Sequence, residues 1–214
     1  MVEPEIYYNP ESKKKTGFVI GKRELTHILI AWIGISFAFS FAYILSGNYL
    51  FIIAVLLGTL TGFIGHELAH KFSAIHYKAN AEFFLWNIGL GFAIIMSLIT
   101  MGSFVFAAPG AVYIWGKNIS RKENGIISLW GPTANFIFAI IFIILGFIFA
   151  ITKLNAGVIT IMFIIAQINL FLGAFNLLPI PPLDGFKVFR WNKLIWLISL
   201  TIFILTYVLI FVVI

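Results

Sequence analysis

The sequence predicts an all-α polytopic membrane protein with about six transmembrane helices and a short re-entrant β-hairpin segment. Its composition is the first reason. Of the 214 residues, 61% are hydrophobic and 10% are charged, with a mean hydropathy of +1.05, whereas a soluble domain carries about 25% charged residues. The second reason is that the apolar residues fall in runs of about 20, the length of helix that crosses a bilayer. This excess of apolar residues is too large for one soluble core.

The elements follow in a simple order. We divide the chain into a polar cytoplasmic N-terminal segment, 1–26, and a single transmembrane domain, 27–214. Apolar runs of span length are predicted at 28–46, 50–75, 83–101, 124–151, 156–178 and 194–214. Between the third and fourth runs, the segment 102–116 is rich in β-forming residues on both sides of Pro109-Gly110. That pattern predicts a hairpin or a re-entrant extended segment.

Clustered positive charges predict the orientation in the membrane. With the N-terminus in the cytoplasm, every lysine and arginine except Lys153 lies on the cytoplasmic side, including the run Lys13–Lys15. Cytoplasmic loops of membrane proteins carry such an excess. We therefore expect a multi-pass protein of the cell membrane. The net charge of +6 does not indicate nucleic-acid binding, because no soluble domain with a basic face is predicted.

The most informative motif is the run His66-Glu67-Leu68-Ala69-His70, which follows an uncharged apolar stretch. An ionisable side chain in a membrane helix is costly and usually marks a working site. The two histidines, at i and i+4, share one helix face and can reach one ion, whereas Glu67 is offset by about 100° and is better placed to hold a water. This is the H-E-x-x-H arrangement of zinc peptidases. It lies near the cytoplasmic end of the second span.

A third metal ligand is expected, because catalytic zinc sites use three protein ligands and one open position. The sequence has no cysteine, and its only aspartate, Asp184, follows a cluster of prolines after the fifth span. Gly185 permits an unusual backbone angle beside it, so the carboxylate is expected to turn toward the histidines. Glu24, Glu82 and Glu123 are the alternatives. They lie beside basic residues or at span ends and are interpreted as solvated charges.

Three motifs in this order resemble the site-2 protease family of intramembrane zinc metalloproteases. They are the H-E-x-x-H run, Gly131-Pro132-Thr133-Ala134-Asn135, and Asn176-x-x-Pro-x-x-Pro-Leu-Asp184-Gly185. The resemblance covers about 60–190, the motif-bearing core. It implies a Zn²⁺-dependent endopeptidase, with one ion per chain, that hydrolyses peptide bonds of transmembrane proteins (regulated intramembrane proteolysis). The expected partners are such a substrate and the lipid bilayer.

The resemblance also implies roles for single residues. His66, His70 and Asp184 would be the zinc ligands. Glu67 would be the general base that activates the attacking water. Asn176 would bind substrate or stabilise the oxyanion, although it could instead satisfy backbone carbonyls freed near the prolines.

Other positions have more local interpretations. Asn135 is expected to hydrogen-bond between helices rather than contact substrate. Gly58-x-x-x-Gly62 is expected to permit close helix packing. The segment Phe104–Ile114 resembles a family segment proposed to present an edge strand to substrate.

A transporter or ion channel that uses intramembrane His, Glu and Asp is the alternative function. The sequence disfavours it, because no internal repeat of the kind common in transporters is visible. A catalytically inactive membrane chaperone with the same fold is a third candidate, against which the intact Glu67 argues.

Overall fold

The structure, a computed structural model, describes residues 18–115 and 119–213, with the side chain of Val213 excepted. The basic run Lys13–Lys15 and Lys117, which contribute to the predicted orientation, lie outside the described residues. So does most of the predicted N-terminal segment 1–26.

The described residues form eight α-helices and two β-strands. The helices are α1 (Lys22–Leu45), α2 (Tyr49–Thr59), α3 (His66–His76), α4 (Asn87–Ile99), α5 (Arg121–Ile151), α6 (Ala156–Asn176), α7 (Asp184–Trp191) and α8 (Lys193–Val208). The strands are β1 (Asn80–Leu85) and β2 (Gly110–Trp115). A π-helical segment, Leu60–Gly65, joins α2 to α3, and another, Leu209–Val213, continues α8.

Five helices in the described part of the chain are long and apolar enough to cross a membrane. They are α1, the continuous helix Tyr49–His76 that contains α2 and α3, α5, α6, and the helix that begins with α8. The predicted fold class, a helical polytopic protein with a small antiparallel β-element, is confirmed.

The prediction of a span at 83–101 is wrong in detail. Its first residues belong to β1, and the helix that follows, α4, has only 13 residues. At 1.5 Å per residue such a helix is about 20 Å long, which is short of the bilayer's hydrocarbon core of about 30 Å. The helix ends where Met101 and Gly102 both adopt positive φ angles, 52° and 80°.

The predicted hairpin around Pro109-Gly110 is correct only in its second half. Gly110–Trp115 forms β2, but its antiparallel partner is β1, from Asn80↔Trp115 to Leu85↔Gly110. Residues 102–109, which lie between α4 and β2, form no strand. At the start of this segment the Thr100 hydroxyl accepts a hydrogen bond from the Phe104 amide at 3.0 Å. The whole of α4 therefore separates the two strands in the chain.

The central helix α6 packs against α2, α5 and α8. The prediction that Gly58 and Gly62 permit close packing is confirmed. A Cβ atom on Gly58 would lie 2.8 Å from Ile168 Cδ1, and one on Gly62 would lie 2.7 Å from Leu172 Cδ1. Because both contacts are with α6, these glycines bring the helix that carries the histidines close to α6.

Candidate metal centre

His66, His70 and Asp184 converge at one buried point. One ligand atom from each of the three lies within 4.8 Å of the others. The two histidine Nε2 atoms are 3.0 Å apart, and Asp184 Oδ2 is 3.1 Å from His66 Nε2 and 2.9 Å from His70 Nε2. Ligand atoms about 2.0–2.2 Å from one tetrahedral zinc ion lie about 3.3 Å from one another. The spacing and the donor set, two imidazoles and one carboxylate, therefore fit a zinc ion.

The two histidines follow directly from the π-helical segment Leu60–Gly65. Such segments occur mostly as single turns inside α-helices, frequently at functional sites. In this chain the segment is continued by α3, whose first residue is His66. One turn later on the same helix face, His70 completes the pair, as the i, i+4 spacing predicts.

Asp184 reaches the histidines because the chain breaks after α6 and restarts at α7. Leu183, in an extended conformation, is the N-cap of α7, and Asp184 is its first residue. The expected role of Gly185 is wrong, because Gly185 lies inside α7 and is not among the glycines with positive φ. Its small size matters instead. A Cβ atom there would lie 2.0 Å from the Leu177 carbonyl oxygen.

Hydrogen bonds orient both imidazole rings. His66 Nδ1 donates to Asn135 Oδ1 at 2.5 Å, and His70 Nδ1 donates to the Ile127 carbonyl at 2.8 Å. Both acceptors belong to α5. These bonds hold the proton on Nδ1 and leave Nε2 free to ligate a metal, the usual arrangement in metal sites.

Asn135 joins three elements, as its interpretation as an interhelical residue predicts. Its Nδ2 donates to the Gly62 carbonyl in the π-helical segment at 2.8 Å. A second buried asparagine, Asn169 of α6, lies next to it, with 3.5 Å between Asn135 Nδ2 and Asn169 Oδ1. Asn169 was not singled out by the sequence analysis. Its only local signal was a polar side chain in a mostly apolar span.

Gly131 brings α5 into contact with the ligands. A Cβ atom on Gly131 would lie 2.5 Å from both His66 Nε2 and His70 Nε2. Any larger residue would therefore crowd the Nε2 atoms of both histidines. This gives the Gly-Pro step of the second motif a steric role.

Lys187 is a further charged residue at the centre that sequence reasoning missed. Its Nζ donates to Asp184 Oδ1 at 3.2 Å from one turn further along α7. Burial by itself raises the pKa of Asp184, but the adjacent His70, the positive charge of Lys187 and the contact with His66 hold that pKa well below its usual value. The carboxylate is thus kept in the ionised form that a metal needs.

Glu67 and Asn176 face the same space as the ligands. Two small cavities of about 20 Å³ each are lined by both residues together with His66. A cavity of about 10–15 Å³ is sufficient for one water. Within the described residues, Glu67 Oε2 is buried without a hydrogen-bond partner. The Asn176 amide is engaged, since Nδ2 donates to the Leu172 carbonyl at 3.0 Å.

Strand β2 borders the metal centre. Gly110, Ala111 and Val112 line the cavity that also contains His70 and Asp184. In the part of the chain that the structure describes, the sheet has two strands, so one edge of β2 is not paired with a strand. This strand begins with two small residues, Gly110 and Ala111.

The three alternative carboxylates lie away from the metal centre. Glu82 forms an ion pair with Arg23 at 3.0 Å, and Glu123 completes a capping box with Ser120 at the start of α5. The interpretation of Glu24 as a solvated charge is wrong. Its carboxylate is buried and pairs with Lys71.

Comparisons with known proteins bear on this arrangement. Residues 147–202 match the family model described as peptidase family M50. A protein of Methanocaldococcus jannaschii that carries the name "Putative zinc metalloprotease MJ0611" is 40% identical over 181 residues, which covers 85% of this chain and 91% of the relative. With its membrane-spanning helices and His-His-Asp group, the protein is a membrane metallopeptidase. The chain belongs to peptidase family M50, the site-2 protease family.

More distant relatives carry the same kind of name. A protein of Bacillus subtilis with the name "Putative zinc metalloprotease YwhC" is 30% identical over 144 residues, which covers 60% of this chain and 64% of the relative. Rip3 of Mycobacterium tuberculosis is 28% identical over 190 residues, 83% of this chain and 42% of the relative. No solved structure matches the chain. The relatives' names and the His-His-Asp group together identify the cofactor as zinc.

Proposed function

We propose that the protein is an intramembrane zinc endopeptidase that hydrolyses peptide bonds of transmembrane proteins. The observation that carries this proposal is that Glu67 and the three candidate ligands surround one water-sized space at the end of membrane-spanning helices. A transporter is not favoured, because the family model and the named relatives are peptidases.

In this proposal His66, His70 and Asp184 hold the ion. Bound zinc supplies Lewis acidity, which activates water and polarises the scissile carbonyl. Glu67 takes a proton from the attacking water and later delivers it to the leaving amine. Its unpartnered Oε2 at the cavity supports this role. Asn176 binds the substrate carbonyl once its amide turns away from Leu172.

The unpaired edge of β2 is the proposed substrate-binding element. A helical substrate must unwind before cleavage, because its scissile carbonyl is hydrogen-bonded within the helix. The unwound segment can then add to the sheet by β-augmentation, with backbone hydrogen bonds giving affinity. Support comes from the position of Gly110–Val112 at the rim of the metal centre.

We further propose that the metal centre lies toward the cytoplasm, with 1–26 on that side and 27–214 as one protease domain of the cell membrane. His70 is about 9 Å from the C-terminal end of the helix Tyr49–His76, at 1.5 Å per residue. Lys78 follows the end of α3, and Lys187 and Arg190 lie in α7, which follows the end of α6. A shallow position of this kind gives water a short path to the site.

Metal content and cleavage test the proposal together. Purified wild-type protein should hold about one zinc per chain, Asp184→Ala markedly less, and Glu67→Gln as much as the wild type. Cleavage is measured with unfolded casein and with tagged single-span membrane proteins co-reconstituted in lipid vesicles. Wild-type cleavage that stops with a chelator and is absent in Glu67→Gln supports the proposal. Cleavage retained in Glu67→Gln, or no zinc in the wild type, contradicts it.

A further inference from the structure

Glu24 and Lys71 form a buried ion pair beside the metal-binding helix. Lys71 Nζ donates to Glu24 Oε1 at 2.6 Å and also contacts Oε2. The two residues are only 3% and 5% exposed. A buried pair of this kind is a weak contributor to stability, because desolvation offsets the attraction between the charges. Its position in spanning helices therefore calls for another explanation.

The pair connects three elements. Lys71 follows His70 on α3, and Glu24 lies in the first turn of α1. Glu24 Oε1 also accepts a hydrogen bond from the Phe83 amide of β1 at 3.2 Å. One carboxylate thus holds β1 against the helix that carries the histidines.

This link extends to the metal centre through the sheet. Phe83 is paired with Val112 of β2, and Val112 lines the cavity that contains His66 and Asp184. The Phe83 side chain is buried against Phe63, with ring centroids 5.4 Å apart, which adds an apolar contact to the same junction. A shift of β1 relative to α3 would therefore move β2 relative to the metal.

We propose that Glu24 is a positioning residue, which fixes the separation between α3 and the substrate-binding edge of β2 through Lys71 and the Phe83 amide. This inference rests on the proposed function, in which β2 holds the unwound substrate. Glu24 does not touch the substrate or the metal. It sets which peptide bond of the bound segment reaches them.

A matched control lies one residue away on each side. Arg23 and Glu82, the neighbours of Glu24 and Phe83, also join α1 to β1, with Arg23 Nη2 and Glu82 Oε1 3.0 Å apart. This pair is exposed at the surface, since the Arg23 side chain is 61% exposed, and it does not reach α3. Its loss should leave the spacing between α3 and β2 unchanged.

Spin labels can measure that spacing directly, because the sequence has no native cysteine. Nitroxides at His76→Cys in α3 and Tyr113→Cys in β2, both exposed positions, report the distance between the two elements. In Glu24→Leu/Lys71→Met the distance distribution is expected to broaden at least two-fold. In Arg23→Met/Glu82→Gln it should match the wild type. An unchanged distribution in the first variant overturns the inference.

A conservative variant separates positioning from loss of folding. Glu24→Gln/Lys71→Met keeps an oxygen that accepts from the Phe83 amide but loses the tie to α3. Its spin-label distance distribution is expected to have a width between those of the wild type and Glu24→Leu/Lys71→Met, and its zinc content is expected to match the wild type. If Glu24→Leu/Lys71→Met loses zinc, the distance distribution of Glu24→Gln/Lys71→Met still tests the inference. A wild-type width in Glu24→Gln/Lys71→Met would contradict the proposed link between Glu24 and α3.

Cleavage products give a second readout. Mass spectrometry of casein fragments should show a wider spread of cleavage sites in Glu24→Gln/Lys71→Met, with a lower kcat. A merely structural defect would reduce the active fraction and leave the sites the same. If the wild type shows no zinc-dependent cleavage, the proposed function fails while the distance measurement still tests the link. If the wild type cleaves but both readouts are unchanged in the variants, only the positioning role fails.

Discussion

Gly131 lies directly against the ring of His70, and a Cβ atom on Gly131 would be 2.5 Å from His70 Nε2. That distance is shorter than any normal contact between a carbon and a nitrogen atom. The same hypothetical atom would be equally close to His66 Nε2. The space between α5 and the two histidines therefore has no room for a side chain at this position.

Gly131→Ala is expected to abolish stoichiometric zinc binding, because the methyl group would occupy the space beside both ligand atoms. Metal analysis of the purified variant measures the effect. Gly91→Ala is the matched control. Gly91 also lies in a helix, but nothing approaches within 4 Å of the position its Cβ would take. Normal zinc content in Gly131→Ala would show that α5 can move away from the site.

Asn135→Leu is expected to weaken zinc binding about 10–100-fold, the usual effect of losing a hydrogen bond that orients a metal-ligating histidine. Asn135→Asp keeps an oxygen that accepts from His66 Nδ1, although it loses the donor to the Gly62 carbonyl. It should therefore retain more zinc than the leucine variant. Competition with a chromophoric chelator measures both affinities. Equal losses in the two variants would contradict an orienting role for this hydrogen bond.

Gly185→Ala is expected to destabilise the protein by about 1–3 kcal/mol, the range for overpacking in a close-packed interior. The added methyl group would meet the backbone carbonyl of Leu177, which cannot rotate away as a side chain can. Because α7 begins at Asp184, zinc content should fall with thermal stability. Thermal unfolding with and without added zinc measures this coupling. A variant with the wild-type melting temperature would contradict the steric explanation.

Asn176→Ala is expected to lower kcat/KM about 100-fold with unchanged zinc content, if its amide stabilises the oxyanion as proposed. The amide now bonds to the Leu172 carbonyl, so loss of this one bond should change stability little. Asn48→Ala, at an exposed position, is the control. Wild-type kinetics in Asn176→Ala would show that the residue acts only through its hydrogen bond to the Leu172 carbonyl.

The fold was predictable where a local pattern was sufficient. Apolar runs of span length identified the five membrane-spanning helices, since crossing a bilayer requires that length wherever the chain goes. The run 83–101 misled, because its apolar character was compatible with a strand followed by a short helix. Apolar runs alone do not distinguish these possibilities.

The candidate site, like the fold, was predictable only where a local pattern was sufficient. Helical periodicity alone predicted that His66 and His70 share a face, and the proline break made Asp184 available as a partner. Ile127 and Lys187, which support these residues, carried no specific local signal. Asn135 was expected to hydrogen-bond between helices, but its bond to His66 was not predicted. Glu24 was misread because its burial depends on Lys71, which lies 47 residues away.

The sequence by itself determined that the chain is a membrane protein and which residues could bind zinc, because span length and i, i+4 spacing are properties of single helices. Only the tertiary structure decided the pairing of β1 with β2, the close contact of Gly131 with the histidines and the burial of the Glu24–Lys71 pair. These features depend on which surfaces meet when distant segments pack. Which surfaces pack together depends on the fit of many side chains at once, and no local stretch of sequence specifies that fit.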